Sequence, residues 1–194
     1  MDEEFRQSNP QGEFLRIPPS KHQHPRSGRA LDGVRKPLSK PHSVLIDLGP
    51  YLSAQRVIFL QDGVTKDQAL RTLAVTTAND PSVTEKDAFI QAIFEREEVS
   101  STGVGGGIAV PHAKLPFNLD FVMTIGICPG GINFQAKDNE PVNILVMIAA
   151  PESERTTYLR VLATVAALLK DRELVERLRA ARSGTEAIDC LSVG

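Results

Sequence analysis

Glu95-Arg96-Glu97-Glu98-Val99-Ser100-Ser101-Thr102-Gly103-Val104-Gly105-Gly106-Gly107-Ile108-Ala109-Val110-Pro111-His112-Ala113 is the stretch on which the rest of the chain turns. A charged helix end runs into a loop of hydroxyls and glycines. A short apolar strand over 108–110 follows and stops at Pro111-His112. Flexible backbone, free N–H groups and one imidazole are thereby brought within a few residues. Anion or phosphate chemistry is expected here, with the remaining residues as its scaffold.

Working outward towards the N-terminus, two helices lead into this stretch. Thr84 is placed to cap the nearer one, and Ala88, Phe89, Ala92, Ile93 and Phe94 recur on one side as a buried face would. Asn79-Asp80-Pro81-Ser82 breaks the chain before it. The earlier helix opens at Thr65-Lys66-Asp67-Gln68, a capping box, and buries Ala69, Leu70, Leu73 and Ala74. Residues 56–60, Arg-Val-Ile-Phe-Leu, read as a strand, closed by the turn Asp62-Gly63.

Working outward towards the C-terminus, residues 121–128 form a strand, Pro129-Gly130-Gly131 turns it, and residues 132–134 are briefly extended. Residues 141–149 are almost continuously apolar, as in a central strand buried on both faces. Pro151-Glu152 opens a helix whose stripe is Leu159, Leu162, Val165, Ala166 and Leu169. A shorter helix follows at 173–181. Ser183-Gly184-Thr185-Glu186 is a second capping box before a last helix. Helices before, between and after strands predict one layered α/β domain, a mixed β-sheet flanked by helices.

Composition sets bounds. The chain has 194 residues, 41% hydrophobic, 5% aromatic and no Trp, which suits an aliphatic α/β core. The net charge of −2 gives no nucleic-acid signal. Cys128 and Cys190 share no metal or disulfide spacing. The acidic N-terminus has no apolar signal region, and no apolar run is long enough to span a bilayer, so the expected location is cytoplasmic. Residues 1–43 differ from the rest. They hold six of the thirteen prolines, three of the four histidines (His22, His24, His42) and a net charge of +3. They read as a disordered, Pro-rich, mildly basic tail before a domain over 44–192. It is either a docking segment for an acidic surface or, on composition more readily, a solvated tail.

His112 is the single histidine of the folded part. Imidazole has an unperturbed pKa near 6.5, so much of it is neutral at cytoplasmic pH and available as nucleophile, base or ligand. No second His or Cys pair completes a zinc site, no GxSxG marks a serine hydrolase, and no GK[ST] marks a nucleotide loop. No cofactor or metal is expected. The glycine loop can aim backbone N–H groups at an anion, and Arg96 can add a guanidinium. Each element has a plainer reading beside this one: His112 as a structural hydrogen-bonding residue, 103–107 as a turn, Arg96 as a solvated helix-end charge.

The segments Glu95-Arg96-Glu97, Ser101-Thr102-Gly103-Val104-Gly105 and Gly107-Ile108-Ala109-Val110-Pro111-His112-Ala113 resemble the signature of the type-2 enzyme IIA domains. These belong to the bacterial phosphoenolpyruvate:sugar phosphotransferase system and include fructose-specific, mannitol-specific and nitrogen-regulatory members. The resemblance extends to Thr65 through Leu73, Asn133-Phe134, Pro141-Val142 and Ala149-Ala150-Pro151, and so covers residues 44–192. It implies a mixed sheet between helices and a tele-phosphohistidine intermediate at His112. Arg96 corresponds to the family's phosphate-site arginine, and Thr102 and Gly103 to its anion-holding backbone. The implied donor is the histidine-containing phosphocarrier protein or a regulatory counterpart. The implied recipient is a IIB protein, or a transporter or kinase under regulation. The family usually has a second histidine before a Leu on the helix after the Ala-Pro turn; here Tyr158 stands there, after Thr157 and before Leu159. Tyrosine donates a hydrogen bond but supplies no cation near neutrality. The resemblance therefore implies ready acceptance of phosphate by His112 and slower onward transfer, and points to a regulatory phosphocarrier. Two alternatives stand beside it: a binding module that signals without phosphorylation, and a sugar-specific IIA serving a separate IIB. Tyr158 is equally read as an ordinary helix residue.

Overall fold

The computed structural model describes residues 45–192. The expected tail over 1–43, with His22, His24 and His42, lies outside the described residues, as does the expected start of order at Val44.

The elements follow in the order β1 (Val57–Phe59), α1 (Lys66–Ala78), α2 (Lys86–Val99), β2 (Gly103–Gly105), β3 (Ile108–Ala109), β4 (His112–Leu115), β5 (Val122–Ile132), β6 (Val142–Pro151), α3 (Arg155–Leu168), α4 (Arg172–Ala180) and α5 (Gly184–Ser192). Two 3-10 turns, Gly49–Tyr51 and Ala54–Arg56, precede β1. The six strands form one mixed sheet in the order β1-β5-β6-β3-β2, with β4 also pairing β6. β6 is central. It runs antiparallel to β5 on one side and parallel to β3 and β4 on the other. This is the expected α/β architecture.

The continuous apolar run of β6 has a simple cause. Its alternate residues face opposite helical layers. Ile144, Val146 and Ile148 join the core made with Val161 and Val165 of α3 and Leu174 and Leu178 of α4. Leu145, Met147 and Ala149 join the other, made with Leu70 and Leu73 of α1 and Phe89 and Ile93 of α2. Neither face meets water, so neither needs a polar residue.

α1 opens as expected: Thr65 Oγ1 accepts from Gln68 N–H, and the Gln68 side chain accepts from Thr65 N–H. Several local expectations give way. Thr84 donates its hydroxyl to Phe117 C=O at 2.8 Å, and α2 begins after Glu85 with no side-chain cap. Ala88 is exposed, while Phe89 and Ile93 are buried. β5 does not turn at Pro129. It continues to Ile132 through a register shift beyond Ile127, with Gly131 at a φ of +78° absorbing the irregularity. Pro151 ends β6, and α3 starts only at Arg155. The buried stripe of α3 is Tyr158, Val161, Thr164 and Val165, with Leu169 just beyond; Leu159 is 64% exposed and Ala166 also faces out. Hydropathy mis-phased this helix because two inward residues carry hydroxyls. That of Thr164 is satisfied by accepting from Ile46 N–H and donating to Arg160 C=O. In the second capping box, Ser183 Oγ accepts from Glu186 N–H as expected, but the Glu186 carboxylate accepts from Arg182 N–H.

Among the described residues no helix is long and apolar enough to cross a membrane.

Candidate functional site

His112 comes after the short strand β3, as expected, and itself begins a further strand, β4. β3 and β4 lie end to end along β6, with Ile108 and Ala109 opposite Ile144 and Leu145, and His112 opposite Ile148. Pro111 stands at the interruption, where its missing N–H removes a ladder donor. Its carbonyl still accepts from Ile148 N–H at 2.9 Å. The break frees Val110 C=O, which lies 2.7 Å from His112 Nδ1. A carbonyl only accepts, so Nδ1 carries the proton and the lone pair is on Nε2. Burial of the half-exposed ring lowers its pKa. The Val110 hydrogen bond opposes that shift, Arg96 adds to it, and Glu97 opposes it. The ring is a neutral imidazole with one defined nucleophilic nitrogen.

The glycine stretch is a hairpin, not an open cradle. β2 and β3 pair antiparallel, and Gly105, Gly106 and Gly107 take positive φ to make the turn. The Asp138 carboxylate accepts from Gly106 N–H at 2.7 Å. Gly103 has a different reason to be glycine. A Cβ there would lie 2.8 Å from Ala136 Cα and Cβ.

The two residues expected to hold an anion through their N–H groups have partners already. Thr102 N–H donates to both carboxylate oxygens of Glu97, at 3.1 and 3.0 Å, and Thr102 Oγ1 also donates to Glu97. Gly103 N–H donates to Ser101 Oγ at 3.2 Å. Glu97 is 7% exposed and forms an ion pair with Lys66 Nζ at 2.7 Å; that ammonium also sits 4.6 Å from the Phe134 ring centre. The chain of bonds continues to the imidazole. Thr102 C=O accepts from Val110 N–H at 3.0 Å, and Val110 C=O takes His112 Nδ1. A buried carboxylate thus fixes the backbone that fixes the ring. Sequence reading passed over Glu97 and Lys66. The signal was present, since Phe89, Ile93 and Glu97 recur every four residues on the buried side of α2.

Arg96 is half-buried at the end of α2 and donates to Ser100 C=O at 2.9 Å. Its charge reaches both His112 and Tyr158. Tyr158, 9% exposed on α3, places its ring centre 6.1 Å from that of His112, tilted by 60°. Burial raises the Tyr158 pKa, with Arg96 pulling the other way, so it is a neutral phenol at physiological pH. Strand alternation puts Lys114 on the same face of β4 as His112, and its ammonium lies 5.1 Å from the Tyr158 ring centre. Lys114 was also missed, although a spacing of two on a strand was enough to find it. His112, Arg96 and Tyr158 are therefore brought together, while Thr102 and Gly103 form the supporting wall. Among the described residues no cluster of three or more His, Cys, Asp or Glu could hold a metal ion.

Comparison with known proteins places the fold in a family. Residues 50–193 match the family described as "Phosphoenolpyruvate-dependent sugar phosphotransferase system, EIIA 2". A nitrogen regulatory protein of Bradyrhizobium diazoefficiens is 32% identical over 129 residues, 66% of this chain and 84% of that protein. The fructose-specific EIIABC component of Bacillus subtilis is 30% identical over 127 residues, again 66% of this chain but 20% of that longer protein. Among solved structures, the nitrogen regulatory protein IIA-Ntr of Neisseria meningitidis shares the fold with a TM-score of 0.68 at 23% identity, covering 74% of this chain and 98% of that one. With the family matched from before the first strand to the last helix, the chain belongs to the EIIA type-2 family of the phosphoenolpyruvate-dependent sugar phosphotransferase system.

Proposed function

We propose that this domain is a phosphoryl carrier of the phosphotransferase system, taking the group on His112 Nε2 from a histidine-containing phosphocarrier protein or its regulatory counterpart. We assign the role to residues 44–192, with 1–43 as a separate tail. One observation carries the reading: the His112 Nδ1–H is committed to Val110 C=O, which leaves the lone pair on Nε2 of a ring kept neutral by burial. The step balances without proton transfer. The Nε2 lone pair forms the new N–P bond as the donor's N–P bond breaks, and that electron pair returns to the donor imidazole. Arg96 opposes the charge of the phosphoryl oxygens. Thr102 and Gly103 act chiefly as the wall behind the ring, because an oxygen taking their N–H groups would have to displace Glu97 and Ser101. Tyr158 offers a neutral hydroxyl donor in place of a second imidazole, which slows onward transfer.

A regulatory role is favoured over a sugar-specific one. Support comes from the nitrogen regulatory relative, matched over most of its length, and from the neutral residue at 158. The test is incubation with phosphoenolpyruvate, enzyme I and the phosphocarrier protein. Intact-mass analysis should show one acid-labile phosphoryl group on the wild type and none on His112→Ala. No adduct on the wild type, with a competent relative labelled in parallel, overturns the proposal. A role in binding alone would instead leave partner capture equal for wild type and His112→Ala.

A further inference from the structure

We propose that Lys114 is the second cation of the phosphorylated site: its ammonium, resting on the Tyr158 ring, moves onto the phosphoryl group carried by His112. The inference rests on the phosphohistidine reading and adds a residue to it. A phosphoryl group brings a charge of about −1.5 to −2 at neutral pH. Arg96 supplies one positive charge, and Tyr158 supplies none. A site with Arg96 alone would be left with excess negative charge in a half-buried position. Lys114 closes that balance.

Geometry supports the assignment. His112 and Lys114 are alternate residues of β4 and project from one face, about 7 Å apart along the strand. Tyr158 is close to both, its ring centre 6.1 Å from that of His112 and 5.1 Å from the Lys114 ammonium. Among the described residues three ion pairs form, Arg56–Asp80, Lys66–Glu97 and Arg179–Glu176, and none engages Lys114. Among the described residues its cation rests on an aromatic face, a weak contact easily given up for a charged one. The flexible four-carbon stem can swing from the ring to the neighbouring imidazole without moving the backbone. Lys114 thus provides, from the strand, the cation that the residue at 158 does not provide from the helix.

The experiment is 31P NMR of the full-length protein after phosphorylation, together with the phosphoryl exchange equilibrium against the phosphocarrier protein. In the wild type, the phosphoryl group should titrate at lower pH than in Lys114→Gln. The equilibrium should shift against Lys114→Gln by about tenfold, the loss expected for one charge-assisted contact. Lys114→Arg should restore both. An unaltered 31P titration and equilibrium in Lys114→Gln overturns the inference while leaving the carrier reading intact. Failure of the wild type to acquire the group overturns the carrier reading itself. Circular dichroism matching the wild type excludes misfolding as the cause of any loss.

Discussion

At the scale of the residue, the chemistry of this protein rests on which nitrogen of His112 holds a proton. The Val110 carbonyl settles that, and burial, the dominant influence, keeps the ring neutral. A pH prediction follows with a definite sign. The folded pKa lies below the ordinary 6.5, so folded His112 gives up its proton at a pH where an exposed imidazole still holds one. The pH profile for phosphoryl acceptance should therefore have its lower inflection below 6.5, and an NMR titration of the ring should show the same midpoint. An inflection at or above 6.5 would contradict the desolvated ring. The linked effect on stability has the same sense. The unfolded chain binds this proton more readily, so the His112 contribution is present above 6.5 and is lost as pH falls through the folded pKa. His112 and Arg96 were legible in the sequence because both lie in one ungapped motif. Lys114 and Glu97 were overlooked: the first lies just past the motif, and the second was taken as one more acid in a charged helix end.

At the scale of the element, the site depends on how α1, α2 and the β2–β3 hairpin are tied together. Lys66 is the first residue of α1, Glu97 lies in the last turn of α2, and Thr102 leads into β2. The carboxylate is nearly buried, so its pairing is obligatory rather than decorative. Lys66→Met should cost about 3–5 kcal/mol, because it strands a buried charge. Urea denaturation measures this, and a loss below about 1 kcal/mol would show that the pair behaves as a surface contact. The helix starts divide along the same physical line. Thr65-Gln68 was readable since both partners lie within one turn. Thr84 was misread since its hydroxyl serves a carbonyl 33 residues away. The glycines of 103–107 show the same limit. Their flexibility was plain, but whether it served an anion or a hairpin turned on pairing with Ile108 and Ala109, and the hairpin won.

At the scale of the whole molecule, β6 is the member that every layer shares. Its two faces anchor two separate cores, and β3, β4 and β5 all pair with it. Truncating it should be costly: Leu145→Ala, fully buried, is expected to lose about 2–5 kcal/mol, measurable as a lower denaturation midpoint with an unchanged slope. A near-neutral effect would mean that the core relaxes around the gap. By itself the sequence determined the α/β class, the central strand, the α1 cap, and the adjacency of Arg96 and His112. All of these depend on patterns within a few residues, where hydropathy period and hydrogen-bond reach are local. Tertiary structure decided the rest: the strand on which His112 sits, the ring nitrogen it leaves free, the burial of Glu97, the phase of α3 and the meeting of Tyr158 with His112 and Lys114. Those features depend on which surfaces meet across the sheet, and packing between distant segments can turn a helix by one residue or occupy an N–H without leaving any mark in the local pattern.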